Sequence, residues 1–221
     1  MKSSNKMRYG LCLMCASENG KFFFKDKFRK YFKCSNCSLL FVPPEFHVSP
    51  EREKARYEEH NNEPDSVGYS AFLERITLPI KESFKPPATG LDFGCGPTTV
   101  LADILKEDGF DMDVYDLFYA PEKHVLEKKF DFIVTTEVVE HLSKPLEVFE
   151  KLLSMLLPGG MLAVMTRLHD DSIDFKGWHY KNDPTHISFF SVETFEWLSN
   201  QLGTTHRKIK RDIYVFEPPS S

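Results

Sequence analysis

The stretch LDFGCGPTTVL, Leu91–Leu101, runs from a short apolar strand through two close glycines into a helix. Gly94 and Gly96 let the backbone turn sharply and approach a ligand with no Cβ in the way. The helix that follows offers free N–H groups and a partial positive charge at its start. Its continuation, VLADILKEDG, turns Val100, Leu101, Ile104 and Leu105 inward and stops near Gly109. FDMDVYD then reads as a strand ending in Asp116, and FDFIVTTEVV as a buried strand. SKPLEVFEKLLSMLLPGG reads as a helix that Ser143 caps. Leu146, Phe149, Leu153 and Leu156 form its stripe, and Pro158-Gly159-Gly160 ends it. MLAVMTRL is another buried strand, SVETFEWLSNQLG a helix, and HRKIKRDIYVF an antiparallel pair. This alternation predicts an α/β fold: a doubly wound, Rossmann-like, mostly parallel sheet over residues 88–221.

In such a sheet ligands bind at the carboxyl ends of the strands. Asp116 lies 22 residues after Gly94, where an acid accepts the hydroxyls of a ribose. The third glycine of a dinucleotide fingerprint is replaced by Thr99. Asp92, two residues before Gly94, repels a pyrophosphate and suits an ammonium group. A ribose joined to an amino-acid head describes S-adenosylmethionine.

Taken in order, LDFGCGPTTVL, VYD, DFIVTTEVVEHL and LLPGGMLAVMT resemble the successive motifs of class I S-adenosylmethionine-dependent methyltransferases. The resemblance implies that Asp92, Gly94 and Gly96 line the methionine moiety and that Asp116 holds the ribose. It also implies that Glu137, with His141, borders the methyl-transfer site. The chain departs from the family in one place: only fourteen residues separate Asp116 from Asp131. The third strand is therefore expected to be short or missing, with the adenine contact supplied from elsewhere, by Phe118 or Tyr119. Cys95, between the glycines, reads as a filler of a crowded turn.

WHYKNDPTHISFFS, Trp178–Ser191, follows the strand MLAVMTRL and is expected above the carboxyl edge of the sheet. Trp178 and Tyr180 would exclude water. An oxygen or nitrogen nucleophile must lose a proton, and an imidazole takes one near neutral pH. The segment is read as a substrate lid whose candidate base is His186, with His179 second and Asp183 orienting the ring. His141 is the alternative base. Part of the segment, YKNDPTHISFFS, resembles a loop of one bacterial methyltransferase branch.

At the other end, Cys12 and Cys15 (CLMC) and Cys34 and Cys37 (CSNC) are two C-x2-C pairs eighteen residues apart. This spacing predicts a structural zinc in a small ribbon spanning residues 1–46. Disulfides would suit a secreted chain better. Between the pairs, KFFFKDKFRKYFK places Phe22, Phe24, Phe28 and Phe32 as the expected ribbon core, although aromatic and basic residues so mixed also stack bases and meet phosphates. Together with the following LLFVPP, the ribbon resembles the N-terminal part of bacterial methyltransferases that carry such a module. A helical connector, residues 47–87, starts with Ser49 as N-cap and Pro50 in the first turn.

The 221 residues suit one domain plus a small appendage, and a net charge of −5 hides an uneven distribution. Residues 1–33 hold nine basic and two acidic side chains. No apolar run reaches the ~20 residues of a membrane helix, and the N-terminus lacks the apolar stretch of a secretory signal; a cytoplasmic enzyme without a membrane partner is expected. The preferred reading is methyl transfer to a small or modestly sized metabolite. The alternatives are an RNA methyltransferase gripping through the basic ribbon and a non-catalytic cofactor-binding protein. The acceptor atom and oligomeric state are left open.

Overall fold

In the computed structural model, residues 10–59 and 67–219 are described. The first nine residues of the expected ribbon, with Lys2, Lys6 and Arg8, lie outside them, as do residues 60–66 of the connector and the last two residues. In chain order the elements are β1 (Gly20–Lys25), β2 (Lys30–Cys34), β3 (Leu40–Phe41), α1 (Pro50–Glu58), α2 (Val67–Ser83), β4 (Thr89–Phe93), α3 (Val100–Glu107) and β5 (Asp111–Tyr115). There follow β6 (Phe130–Thr136), α4 (Pro145–Ser154), β7 (Leu156–Met165), β8 (Ser188–Phe189), α5 (Val192–Leu202), β9 (Thr205–Lys210) and β10 (Ile213–Glu217).

The larger sheet has the order β5-β4-β6-β7-β10-β9. Strands β5, β4, β6 and β7 are parallel, while β10 runs antiparallel to both β7 and β9. Central strands covered on both faces should read as continuous apolar runs, and Phe132–Val134 and Leu162–Met165 are wholly buried. Alternate residues serve opposite faces. Phe132 and Val134 pack with Leu73, Ile76 and Leu105 from α2 and α3, whereas Ile133 packs with Phe149 and Phe195 from α4 and α5. Strand β5 is one edge of the sheet. Between Asp116 and Phe130 the described chain makes one bridge, Asp116 to Ala120, and a 3-10 turn over Lys123–Glu127. The third strand of the family pattern is missing, as the short spacing predicts.

Two expectations about α4 do not hold. The helix ends at Ser154, and Leu156 already belongs to β7, where it pairs with Phe130. The Phe130 N–H donates to the Met155 carbonyl at 2.9 Å, so strand pairing captures the chain before Pro158. Ser143 is not the cap: Lys144 occupies that position without a side-chain bond, and Pro145 opens the helix.

The smaller sheet has the order β1-β2-β3-β8 and is antiparallel. Its fourth strand comes from the far end of the chain: Leu40 pairs with Phe189, and Phe41 with Ser188. Its core combines Tyr31, Leu40 and Val42 with Phe175, Tyr180 and Phe189. Phe32 is buried and Phe24 half-buried, but Phe22 and Phe28 are 58% and 70% exposed, so the expected four-phenylalanine core is only partly formed. An irregularity between Phe22 and Phe24 breaks the alternation of β1, and Phe28 sits in the β1–β2 turn with Lys27 over its ring at 4.5 Å. Among the described residues no helix is long and apolar enough to cross a membrane.

Candidate functional site

A cavity of about 860 Å³ opens at the carboxyl ends of β4–β7, and Glu53, Arg56 and Tyr57 of α1 line its upper wall. The glycine turn forms one side. Gly94 has φ +81°, and a Cβ there would stand 2.3 Å from Val138 Cγ2; Gly96 has φ +68° and open space where its Cβ would be. The turn thus presents bare backbone to the cavity, a cradle that any larger residue would fill or strain.

Asp116 faces the same space. Its Oδ2 accepts from Gly96 N–H at 3.1 Å, and its Oδ1 from Phe118 and Tyr119 N–H at 2.8 and 3.1 Å. A carboxylate has about four acceptor positions, so a ribose hydroxyl would take the remaining one or displace the Gly96 bond. The Thr136 hydroxyl and the Tyr119 hydroxyl, both in cavity-lining residues, have no hydrogen-bond partner among the described residues. Unpaired polar groups at such a site call for a polar ligand. Phe118 touches Tyr57 at 5.9 Å and Tyr119 at 6.4 Å between ring centroids, forming an aromatic wall close to the expected adenine contact. These features fit S-adenosylmethionine.

Asp92 sits in a small recess behind the turn, beside Tyr69, Thr98 and Thr136. Burial, with Asp116 and Asp103 adding repulsion, pushes its carboxyl up to about 7. Glu137 is pushed up to about 9 by burial and then by Glu140. Its backbone holds a left-handed φ of +53° while its N–H donates to the Met165 carbonyl at 2.8 Å, and a non-glycine residue held there marks a locally over-determined site.

The opposite wall carries the four candidate catalytic residues, His141, His179, Asp183 and His186, which all line the cavity. His186 is buried, and its Nδ1 donates to the Tyr180 carbonyl at 2.8 Å. His141 Nδ1 donates to the Thr185 carbonyl at 3.2 Å. A ring nitrogen facing a carbonyl carries the proton, which leaves each Nε2 as the acceptor. Burial, and secondly His141, lowers His186 to about 3. Asp183 accepts from the Thr185 N–H and hydroxyl at 2.9 and 2.5 Å and from Arg56 Nε at 3.0 Å. The His186 Nδ1 proton therefore goes to backbone and not to this carboxylate. Burial alone would raise Asp183, but the bonds from Thr185, with His186 and Arg56 nearby, hold it well below the usual carboxylate range. His179 is exposed, and its Nε2 accepts from Arg167 Nη1 at 2.9 Å.

Several residues at the site escaped the sequence reading. Glu140 is fully buried and accepts from the Tyr180 hydroxyl at 2.5 Å and the Thr166 hydroxyl at 3.0 Å. One ligating atom each from Glu140, His141 and His186 lies within 4.8 Å of the others, but both Glu140 oxygens already accept from hydroxyls, so the hydrogen-bond cluster is Glu140 with Tyr180 and Thr166. Tyr57 meets His141 edge-on at 5.1 Å. The signal for Tyr57 was available: it is the lone aromatic in the charged run SPEREKARYEEH.

Away from the cavity, Cys12, Cys15, Cys34 and Cys37 converge with all four sulfurs within 4.8 Å of one another. The Cys12–Cys37 and Cys15–Cys34 Sγ distances are 3.5 and 3.6 Å. A disulfide would need about 2.05 Å, whereas a tetrahedral zinc at ~2.3 Å from each sulfur spaces them by ~3.8 Å. The cluster fits a metal.

A family model described as a methyltransferase domain matches residues 64–207. A comparison with curated proteins finds no match. Among solved structures, DesVI from Streptomyces venezuelae is 13% identical; the match covers 78% of this chain and 100% of that one, at a TM-score of 0.55. The magnesium protoporphyrin IX methyltransferase ChlM from Synechocystis PCC 6803, solved with bound SAH, is 12% identical over 76% and 93% of the two chains, at a TM-score of 0.52. An O-methyltransferase family protein from Burkholderia thailandensis is 14% identical at a TM-score of 0.49; 76% of this chain is matched, but only 63% of the length of that one.

Proposed function

The chain belongs to the methyltransferase domain family, and on that premise we propose that it moves the methyl group of S-adenosylmethionine to an oxygen or nitrogen of a small metabolite held beneath Trp178–Ser191. The observation that carries this reading is the meeting, in one cavity, of the Gly94–Asp116 edge and the His141–His186 pair. A protein of similar fold points the same way: ChlM is a magnesium protoporphyrin IX methyltransferase. Residues 88–221 would form the transferase domain, 1–46 a module held by one structural zinc on Cys12, Cys15, Cys34 and Cys37, and 47–87 the connector.

The bare backbone at Gly94 and Gly96 would receive the methionine moiety, with Asp92 behind the turn balancing its ammonium group, and Asp116 would take the ribose. Phe118, Tyr119 and Tyr57 form the adenine wall. When bound, S-adenosylmethionine supplies a methyl group already activated on a sulfonium. The protein then has to align the acceptor and keep water out, which falls to Tyr180, whose hydroxyl is held by Glu140 and Thr166. The acceptor proton leaves to the imidazole pair. A ring lowered to about 3 holds a proton poorly near neutral pH. His141, the less buried of the two, therefore receives it at Nε2, and His186 stays neutral beside it.

The test is a labelled-methyl assay against a metabolite pool and against total RNA, with calorimetry for cofactor binding. Label entering small molecules is expected, together with S-adenosylmethionine binding that Asp116→Ala weakens by about 1.5–3 kcal/mol. Preference for NAD would sink the cofactor reading. Label entering RNA alone would favour a second reading, supported by the exposed Phe22, Phe23 and Phe28 among the lysines of β1 and its turn.

A further inference from the structure

We propose that Arg29, in the cysteine-bearing module, is a positioning residue for the acceptor half of the active site, so that methyl transfer depends on the module as a clamp. The inference rests on the acceptor reading of residues 178–191.

Arg29 follows the β1–β2 turn and is 7% exposed. All five of its guanidinium N–H donors are engaged. Nε donates to the Tyr31 hydroxyl at 3.2 Å. Nη1 donates to the Pro184 and His186 carbonyls at 3.0 and 2.9 Å. Nη2 donates to the Asp183 carbonyl at 2.9 Å and to the Lys181 carbonyl. Four carbonyls within six residues of one loop thus converge on a single cation.

Carbonyls drawn to one side leave the loop's functional side chains on the other, and Asp183 and His186 do line the cavity. Arg29 is itself held in place: its backbone N–H donates to Asp26 Oδ1 at 2.7 Å, and the Tyr31 hydroxyl donates to Asp26 Oδ2 at 2.9 Å. Past the loop, the Val42 N–H donates to the Ile187 carbonyl and the Ile187 N–H to the Glu140 carbonyl, each at 2.9 Å. The module, the loop and the Glu140–His141 turn are therefore joined by backbone in series. The cofactor edge, Gly94–Asp116, lies instead at the ends of β4 and β5 in the larger sheet. Disturbing Arg29 should therefore loosen one half of the site and spare the other.

Lysine keeps the charge but is a single point of three donors and cannot reproduce the planar fork. Arg29→Lys and Arg29→Gln are the test, in the full chain with its metal retained, against Tyr31→Phe, which leaves the Nη fork intact. The readouts are amide exchange over residues 181–186, imidazole 15N spectra of His186, S-adenosylmethionine calorimetry, and labelled-methyl transfer into a metabolite extract. For Arg29→Lys, amide exchange at least ten times faster, a His186 signal no longer locked to the Nδ1–H form, and transfer down roughly 100-fold are expected, with cofactor affinity within twofold of wild type. Tyr31→Phe, which removes the Nε acceptor and the bond to Asp26 but keeps the four carbonyl bonds, should fall between wild type and Arg29→Lys in all four. Unchanged exchange and spectra in both Arg29 variants would overturn the proposal. So would cofactor affinity falling in step with transfer, or Tyr31→Phe failing as badly, since either means general destabilisation. If the extract holds no acceptor even for wild type, the methyl-transfer reading fails by itself, while exchange and spectra still decide whether Arg29 places the loop.

Discussion

His141 and His186 meet edge to face with ring centroids 4.7 Å apart and planes at 74°, and each turns Nδ1 to a carbonyl of the segment Tyr180–Thr185. The two acceptor nitrogens are thereby fixed by backbone.

From this arrangement, His141→Ala should lower turnover by roughly 10²–10⁴-fold with cofactor affinity retained, because the cofactor edge lies on other strands. His186→Asn should scale turnover down without moving the pH profile between about pH 5 and 8, since His186, lowered to about 3, carries no charge change there. An inflection that disappears in His186→Asn would reverse the two roles.

Asp92 leads to a calorimetric expectation. At about 7 its carboxyl is half protonated at neutral pH, and a ligand ammonium group favours the carboxylate. Binding of S-adenosylmethionine near pH 7 should release protons, so the heat should vary with the ionisation enthalpy of the buffer and affinity should fall as pH drops below 7. Asp92→Asn should bind more weakly with no buffer dependence. A buffer-independent heat in the wild type would place the ammonium group elsewhere.

His169 predicts acid sensitivity. Burial, and secondly Lys33, lowers it from 6.5 to about 4, and its Nε2 has no partner among the described residues. The unfolded chain then binds a proton that the folded one refuses. The stability it contributes is complete above about pH 6.5 and is lost as pH falls toward 4, on the order of 3 kcal/mol at most. His169→Leu should flatten that part of the pH dependence in urea titrations at pH 7 and pH 4.5. Equal slopes in the two proteins would refute it.

The cysteine cluster predicts one zinc per chain by elemental analysis. Strong chelation or Cys34→Ser should unsettle the small sheet, and with it the loop carrying His186, before the larger sheet melts. Metal-replete protein without zinc, or with a Cys12–Cys15 disulfide under reducing conditions, would contradict it.

Local pattern was enough for the cofactor side. A strand, a glycine turn and a helix are adjacent in the chain, and their apolar spacing and turn chemistry act over a few residues, so the turn at Gly94 and Gly96 and the place of Asp116 beside it could be read directly. The fourteen-residue gap after Asp116 likewise announced the missing strand by length alone, and the C-x2-C pairs announced the sulfur cluster by spacing. The helix-to-strand change before Pro158 was less legible. An apolar run that continues from helix to strand has no local marker, and the pairing of Leu156 with Phe130 decided it.

What only the tertiary structure decided is the acceptor side. Trp178–Ser191 read as an appended lid, yet β8 completes the sheet of the cysteine module and Arg29 grips its backbone from 157 residues away at the His186 carbonyl. No periodicity encodes a contact between a guanidinium and four distant carbonyls, because a carbonyl carries no side-chain identity. Nor does composition reveal which imidazole a fold will bury. The sequence determined that a methyl donor has a place to bind; packing at long range decided which histidine is buried, and what holds it there.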